Sequence, residues 1–278
     1  MKSWYTEKHT KFLNYSLKVK KWVHKEKSKF QEAVIFDSYE FGRVLLLDGL
    51  VMLTERDEFI YHEMISHIPL FTHPNPENIL IIGGGDGGTV REVLKHKTIK
   101  KVTLVEIDKL VIDLSKKYLP FTACRLEDSK VEICIEDGIK YVAKHKNEFD
   151  IIIIDSTDPI GPATGLFEAP FLKNVHKSLK PDGIMVAQCG PPFLHLEIVK
   201  NVYEIIKPIY QIVRFYTAFI PTYPSGFWSF AFASKKYDPI KDFRPKRYKN
   251  YDLRLKYYNN EIHKGTFALP NFIKNGLV

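Results

Sequence analysis

The chain has 278 residues, 45% hydrophobic and 27% charged, with a formal net charge of +8. This composition indicates a soluble globular protein of one large domain, or of a large domain and a small one. No apolar run approaches the roughly 20 residues needed to cross a bilayer, and the three cysteines, Cys124, Cys134 and Cys189, argue against a disulfide frame or a zinc site because they show no CxxC spacing.

The N-terminus, MKSWYTEKHT, is polar and lacks the apolar core of a signal peptide, so a cytoplasmic protein is expected. From about Lys11 to Thr54, short runs such as "YSLKVKKWVHKE", "QEAVIFDSYEFG" and "RVLLLDGLVML" alternate apolar and polar residues between turn signals. They predict a small antiparallel sheet. Such a sheet is too small to stand alone and must pack on something larger or on a partner chain. The expected division is residues 1–56 for this β-domain and residues 57–278 for the remainder.

"ERDEFIYHEMISHIPLF" has helical spacing and ends near Pro74 and Pro76. Then "NILIIG", "KVTLVEID", "VEICIED", "FDIIIIDS" and "GIMVAQC" follow as apolar runs of strand length. Helical patterns such as "TVREVLKH", "LVIDLSKKYL" and "PFLKNVHKSL" alternate with them. The fold class predicted is α/β, with a doubly wound, mostly parallel sheet in a Rossmann-like arrangement following the small antiparallel one. In such sheets a ligand lies outside the carboxyl ends of the strands. Basic residues crowd the stretch from Lys235 to Lys256. No nucleic-acid-binding signature accompanies them, so a solvated surface is expected, with neither a nucleic acid nor a membrane as partner.

The loop "IIGGGDGGT" carries Gly83, Gly85 and Gly88 in a GxGxxG spacing between a strand and a helix. The spacing alone is shared by dinucleotide enzymes and by AdoMet-dependent transferases. No Lys-Ser/Thr follows, so it is not a P-loop. Glu106, about twenty residues on, suits two vicinal ribose hydroxyls. Asp137, followed by Gly138, can meet an adenine amino group. Together these residues make an adenosine site. Asp86, inside the loop, does not belong to it. A carboxylate there would repel a pyrophosphate or the carboxylate of AdoMet, and would favour a ligand ending in an ammonium. A turn aspartate bonded to its own backbone is the competing explanation.

"IIIIDSTDPIGPATGLF" adds Asp155 and Asp158 at the end of the fourth strand of the large sheet, beside prolines and glycines that suggest a mobile loop. In isolation such a pair could be turn residues or helix caps. An acidic pocket on a basic protein implies a cationic substrate. With "GGGDGG", "LVEID", "EDGIKYV", "DSTDPIGPA", "LLLDG", "TERDEFIYHEM" and "YYNNEIHKGTFALPNF", the chain resembles the spermidine synthases, or polyamine aminopropyltransferases, nearly end to end.

The resemblance implies transfer of the aminopropyl group of decarboxylated S-adenosylmethionine to an amine acceptor, with release of methylthioadenosine. Decarboxylated S-adenosylmethionine is then a co-substrate, and neither a cofactor nor a metal is expected. It implies Asp155 as general base helped by Tyr61. Asp86 would hold the donor's amine with His62 beside it, Glu106 the ribose, Asp137 and Gly138 the adenine end, and Gln31 the nucleoside. Asp158, Tyr61, Tyr223 and Gln188 would serve the acceptor. For Tyr61 and Tyr223 plain core packing is the rival, and for His62 a structural hydrogen bond. A homodimer or homotetramer is implied.

Two positions depart from the pattern. Met52 stands where many relatives have glutamine. Gly190, in Gln188-Cys189-Gly190, stands where many putrescine-using relatives have glutamate. The expected acceptor is putrescine, with tolerance of cadaverine, agmatine or spermidine. Glu197, Glu204 or another acid could supply the missing charge instead. An AdoMet-dependent methyltransferase on the same fold is the alternative enzyme. An NAD-dependent dehydrogenase and a non-enzymatic polyamine-sensing module are further rivals.

Overall fold

The structure, a computed structural model, describes residues 3–157, 161–245 and 253–277. Five antiparallel strands open the chain: β1 (Trp4–Lys8), β2 (Asn14–Lys27), β3 (Glu32–Ser38), β4 (Arg43–Leu47) and β5 (Leu50–Thr54), paired in chain order. Side chains alternate across the pleat. Ala33, Ile35, Leu45, Leu47 and Leu53 form one apolar face, and Val34, Phe36, Val44, Leu46 and Val51 form the other. The first face packs on Val111, Leu114 and Leu119. Those residues belong to helix α3 (Lys109–Tyr118) and the residue that follows it. The small sheet thus buries one side against the large domain, as its size requires. Each fully buried side chain of the size of Ile35 or Leu45 contributes roughly 1.5–3 kcal/mol.

Helix α1 (Glu58–Thr72) links the two sheets, and α2 (Gly88–Val93) packs against it. The second sheet has seven strands. They are β6 (Asn78–Gly83), β7 (Lys101–Glu106), β8 (Val131–Ile135), β9 (Phe149–Asp155), β10 (Leu179–Gln188), β11 (Ile212–Phe219) and β12 (Phe227–Ser234). Their order is β11-β12-β10-β9-β6-β7-β8. The five from β6 to β10 are parallel neighbours, while β12 pairs antiparallel with both β10 and β11. The doubly wound expectation therefore holds, with an antiparallel edge pair that the sequence reading did not include. Short helices α4 (Pro120–Ala123) and α5 (Gly138–Lys144), and longer α6 (Ala169–Ser178) and α7 (Leu196–Ile206), complete the layers. β6 runs to β7 and β8 on one side, and β9 and β10 lie on the other. The winding reverses between β6 and β9, and a crevice opens at the carboxyl ends of strands at such a point.

The C-terminal segment, with α8 (Asn260–Gly265) and α9 (Asn271–Lys274), is clasped by one buried carboxylate. Glu63, on α1, accepts the backbone N–H groups of Lys256, Tyr257 and Tyr258 at 2.8, 2.9 and 2.8 Å. Glu63→Gln keeps the side chain's shape but replaces one accepting oxygen with a donor facing donors. It should cost about 1–2 kcal/mol and lower Tm by several degrees. Calorimetric unfolding checks this, and an unchanged Tm would mean the segment is held by its apolar contacts alone. No helix among the described residues is long and apolar enough to cross a membrane.

Candidate active site

A cavity of about 290 Å³ opens at the switch point, between the two sheets. Its walls include Gln31, Tyr61, His62, Gly83, Gly85, Asp86, Glu106, Asp137, Gly138, Asp155, Gln188 and Tyr223. These candidates come from positions spread over nearly two hundred residues. The remaining one, Asp158, lies outside the described residues.

Strand register builds the acidic end. Gly83, the last residue of β6, pairs with Asp155, the last of β9. Gly83 has φ +79°, and a Cβ there would lie 2.2 Å from the Asp155 carbonyl oxygen. Only a glycine lets the loop leave the sheet so close to β9. Asp155 is buried, and both its oxygens accept hydrogen bonds: Oδ1 from the Tyr61 hydroxyl and Oδ2 from the Thr89 hydroxyl, each at 2.6 Å. Burial and then the nearby Asp86 charge push its pKa up. Burial also raises the Tyr61 pKa well above its ordinary value, with Asp155 adding to it, so the phenol stays a donor. Thr89 was not read from the sequence. Its one available signal is a hydroxyl in the first turn after the glycine loop.

Asp86 takes the turn bond weighed as its competing explanation: Oδ1 accepts the Gly88 N–H at 2.8 Å. The same oxygen lies 3.2 Å from His62 Nε2. Oδ2 has no protein partner among the described residues. Burial works to raise the Asp86 pKa, but the His62 charge and bond outweigh it and hold the carboxyl below its usual range. His62 Nδ1 in turn meets Glu58 Oε2 at 2.6 Å. Burial opposes the imidazolium, yet Asp86 and Glu58 lift the His62 pKa to about 10. Donor atoms of His62, Asp86 and Asp155 lie within 4.8 Å of one another. Both ring nitrogens are already committed to carboxylates, so the ring offers a cation no lone pair.

The nucleoside end rests on β7. Glu106 is buried, and Oε1 accepts the Asp108 N–H at 2.9 Å. Burial raises its pKa to about 7, against the lowering effect of backbone N–H groups including that of Gly85. Asp108 caps α3 through the Leu110 N–H and holds the Gln31 side-chain amide at 3.1 Å. That fixes Gln31, from the small sheet, at the cavity wall and leaves its carbonyl oxygen available. Asp137 caps α5 by accepting the Ile139 N–H at 2.8 Å. Gly138 follows at the helix start.

On the other side, the Tyr223 hydroxyl donates to the Met52 carbonyl at 2.5 Å, and its ring packs near Tyr61 and Trp228. Its loop is tied down by Asp57, which accepts the N–H and hydroxyl of Thr222 at 3.0 and 2.7 Å. Asp57 precedes α1 where a helix cap is expected, but makes no side-chain cap bond there. Gln188 spends both ends of its amide on protein: Nε2 on the Thr157 carbonyl and Oε1 on the Gly190 N–H. Gly190 has φ +69°, and its carbonyl accepts the N–H and hydroxyl of Ser229. It is not among the residues lining the cavity, although Gln188 and Pro191 on either side of it are.

Among the acids named earlier, Glu197 is exposed on α7 beside His195. A further acid on the cavity wall is Glu7, on β1, which the sequence reading overlooked. It is 3% exposed, accepts the Val51 N–H at 2.8 Å and lies 3.1 Å from His9 Nδ1. Its strand is five mostly polar residues, too short to announce itself.

The chain is similar to known proteins over nearly its whole length. Residues 58–244 match the family model described as spermine/spermidine synthase domain, and residues 3–55 the one described as spermidine synthase tetramerisation domain. The chain is 50% identical to a polyamine aminopropyltransferase of Shouchella clausii, over 99% of each chain. It is 49% identical to one of Bacillus subtilis, over 98% of each. It superposes with TM-score 0.97 on a spermidine synthase in complex with the transition state analogue AdoDATO, at 47% identity over 99% of this chain and 94% of that one. Against spermidine synthase from Thermotoga maritima the TM-score is 0.94, at 46% identity over 99% of this chain and 94% of that one. The chain belongs to the spermine/spermidine synthase family of aminopropyltransferases.

Proposed function

We propose that the cavity transfers the aminopropyl group of decarboxylated S-adenosylmethionine to a diamine, putrescine first, giving spermidine and 5'-methylthioadenosine. The observation that carries this reading is the split between two facing carboxylates. Asp86 is kept ionised by His62, while Asp155 is pushed toward the protonated range and so made a stronger base. Such pairs mark a division of labour. Asp86 Oδ2 would take the donor's ammonium, Glu106 the ribose hydroxyls, and Asp137 with Gly138 the adenine.

The acceptor's ammonium, with an ordinary pKa of about 10.4, would lose its proton to Asp155. Its nitrogen lone pair would then attack the methylene beside the sulfonium. The C–S bond breaks, and sulfur leaves as a neutral thioether. Tyr61 and Thr89 fix the carboxylate for this step, and orientation of the two reactants supplies much of the rest. No further cofactor is needed. Glu7, reaching the cavity from the other sheet, would receive the acceptor's distal ammonium in place of the acid absent at position 190.

An acceptor panel with decarboxylated S-adenosylmethionine, read by mass spectrometry, tests the reading. Putrescine should give the largest kcat/KM. Supplying AdoMet in parallel checks the alternative, because methyl transfer from it without any aminopropyl transfer would reject the proposal. The family's name for residues 3–55 supports a homo-oligomer, which light scattering measures.

The charge on Glu106 gives a pH dependence. Two ribose hydroxyls require an ionised carboxylate, and Glu106 protonates at about 7 in the free protein. Methylthioadenosine, which has no ammonium, should bind about tenfold more weakly at pH 6 than at pH 8, with a proton released on binding near pH 7. Calorimetry in buffers of different ionisation enthalpy checks both. A flat affinity would remove Glu106 from the ribose.

A further inference from the structure

Behind the cavity, a line of alternating charges runs from α2 to the glycine loop. Arg91 grips Glu58 with two parallel bonds, Nη1 to Oε1 and Nη2 to Oε2, both 2.9 Å. Two of its three remaining donors go to the Phe121 carbonyl and to Glu92. Glu58 meets His62 Nδ1, and His62 Nε2 meets Asp86. The ring also lies flat on the backbone of the loop, since a Cβ on Gly88 would come within 2.3 Å of its Cε1. Glu58 and Arg91 do not line the cavity.

We propose that Glu58 and Arg91 are positioning residues, which hold His62 as a doubly donating clamp behind Asp86 and so govern how the two facing carboxylates, Asp86 and Asp155, share their charge.

The physical reason is the order of charges. An imidazolium buried between two carboxylates donates through both nitrogens and cannot turn away. Burial works against the Glu58 charge, but the bond and charge of His62, and then those of Arg91, outweigh it and hold the carboxyl below its usual range. The groups facing His62 are Glu58 and Tyr61 on its own helix, Asp86 on the loop, Arg91 on α2, and Asp155 on β9 at longer range. Without the Glu58 charge, His62 gives up its proton more easily. Asp86 then repels Asp155 without compensation, and Asp155 protonates at higher pH. The line thus acts on the reaction through charge at a distance, not through contact with substrate.

The inference rests on the proposed roles of Asp86 and Asp155, so the test has one arm that does not. In unliganded protein, the imidazole resonances of His62 are titrated by NMR in the parent and in Glu58→Gln. The expected result is a fall from about 10 into the neutral range, far enough that the ring is uncharged where Asp155 titrates. The second arm is the pH profile of kcat/KM, whose acid limb should move to higher pH by half a unit or more. Methylthioadenosine affinity at pH 8 should stay within about twofold of the parent. Arg91→Lys keeps a cation but loses the two-pronged grip, and should move both quantities in the same direction by less. It serves in place of Glu58→Gln if that variant does not fold. An unmoved His62 titration overturns the inference, as does an unmoved acid limb beside a uniform loss of activity, which is what a purely structural pair would give. If no aminopropyl transfer occurs in the parent, the NMR arm still decides the clamp.

Discussion

Asp155→Asn should lower kcat by roughly 10² to 10⁴, the usual range for losing a general base, while donor affinity stays close to the parent's. The geometry makes this a clean substitution. Asn keeps an oxygen for the Tyr61 hydroxyl at Oδ1, and places an amide against the Thr89 hydroxyl, which can rotate to accept. Packing beneath the Gly83 loop is preserved because the side chain's volume hardly changes. What is lost is the lone pair that would take the amine's proton. Single-turnover kinetics with saturating donor, beside calorimetry of donor binding, separate the two roles. Turnover equal to the parent's would reject Asp155 as the base, and collapse of donor binding would reassign it to holding the donor.

Asp86→Asn should weaken decarboxylated S-adenosylmethionine about tenfold or more, corresponding to a charge-assisted bond of about 1.5–3 kcal/mol. Methylthioadenosine should be nearly unaffected, since it lacks the amine. The structure sharpens the control. Oδ1 serves the Gly88 N–H and His62, and an asparagine oxygen can go on doing so. Only Oδ2, the oxygen without a protein partner among the described residues, becomes an NH₂ group. Discrimination against AdoMet should fall too, because a carboxylate that repels its carboxylate has been removed. Equal losses for both nucleosides in calorimetry would mean that Asp86 only shapes the loop.

The sequence showed the large sheet through five apolar runs, and these became β6 to β10. The strands it missed have separate causes. β1 is five mostly polar residues, and it gains its place by pairing with β2. β11 and β12 lie beyond α7 and join the sheet antiparallel, outside the βα alternation that guided the reading. Missing β1 also meant missing Glu7, whose burial depends on the Val51 N–H forty-four residues away.

By itself, the sequence determined the strand–helix alternation, the glycine loop and the carboxylates at strand ends. Each of these is local: apolar period, turn chemistry and spacing are read from neighbours along the chain. The tertiary structure alone decided what each charge does. Tyr61 and Asp155 meet across ninety-four residues, and the two oxygens of Asp86 differ only because His62 and Gly88 reach one of them. Gly190 stands between two positions that line the cavity, Gln188 and Pro191, and its carbonyl is held by Ser229. The reason is that a carboxylate's charge state follows from burial and from partners within a few ångströms. Those partners are brought together by folding, from segments whose order in the chain carries no record of the distance between them.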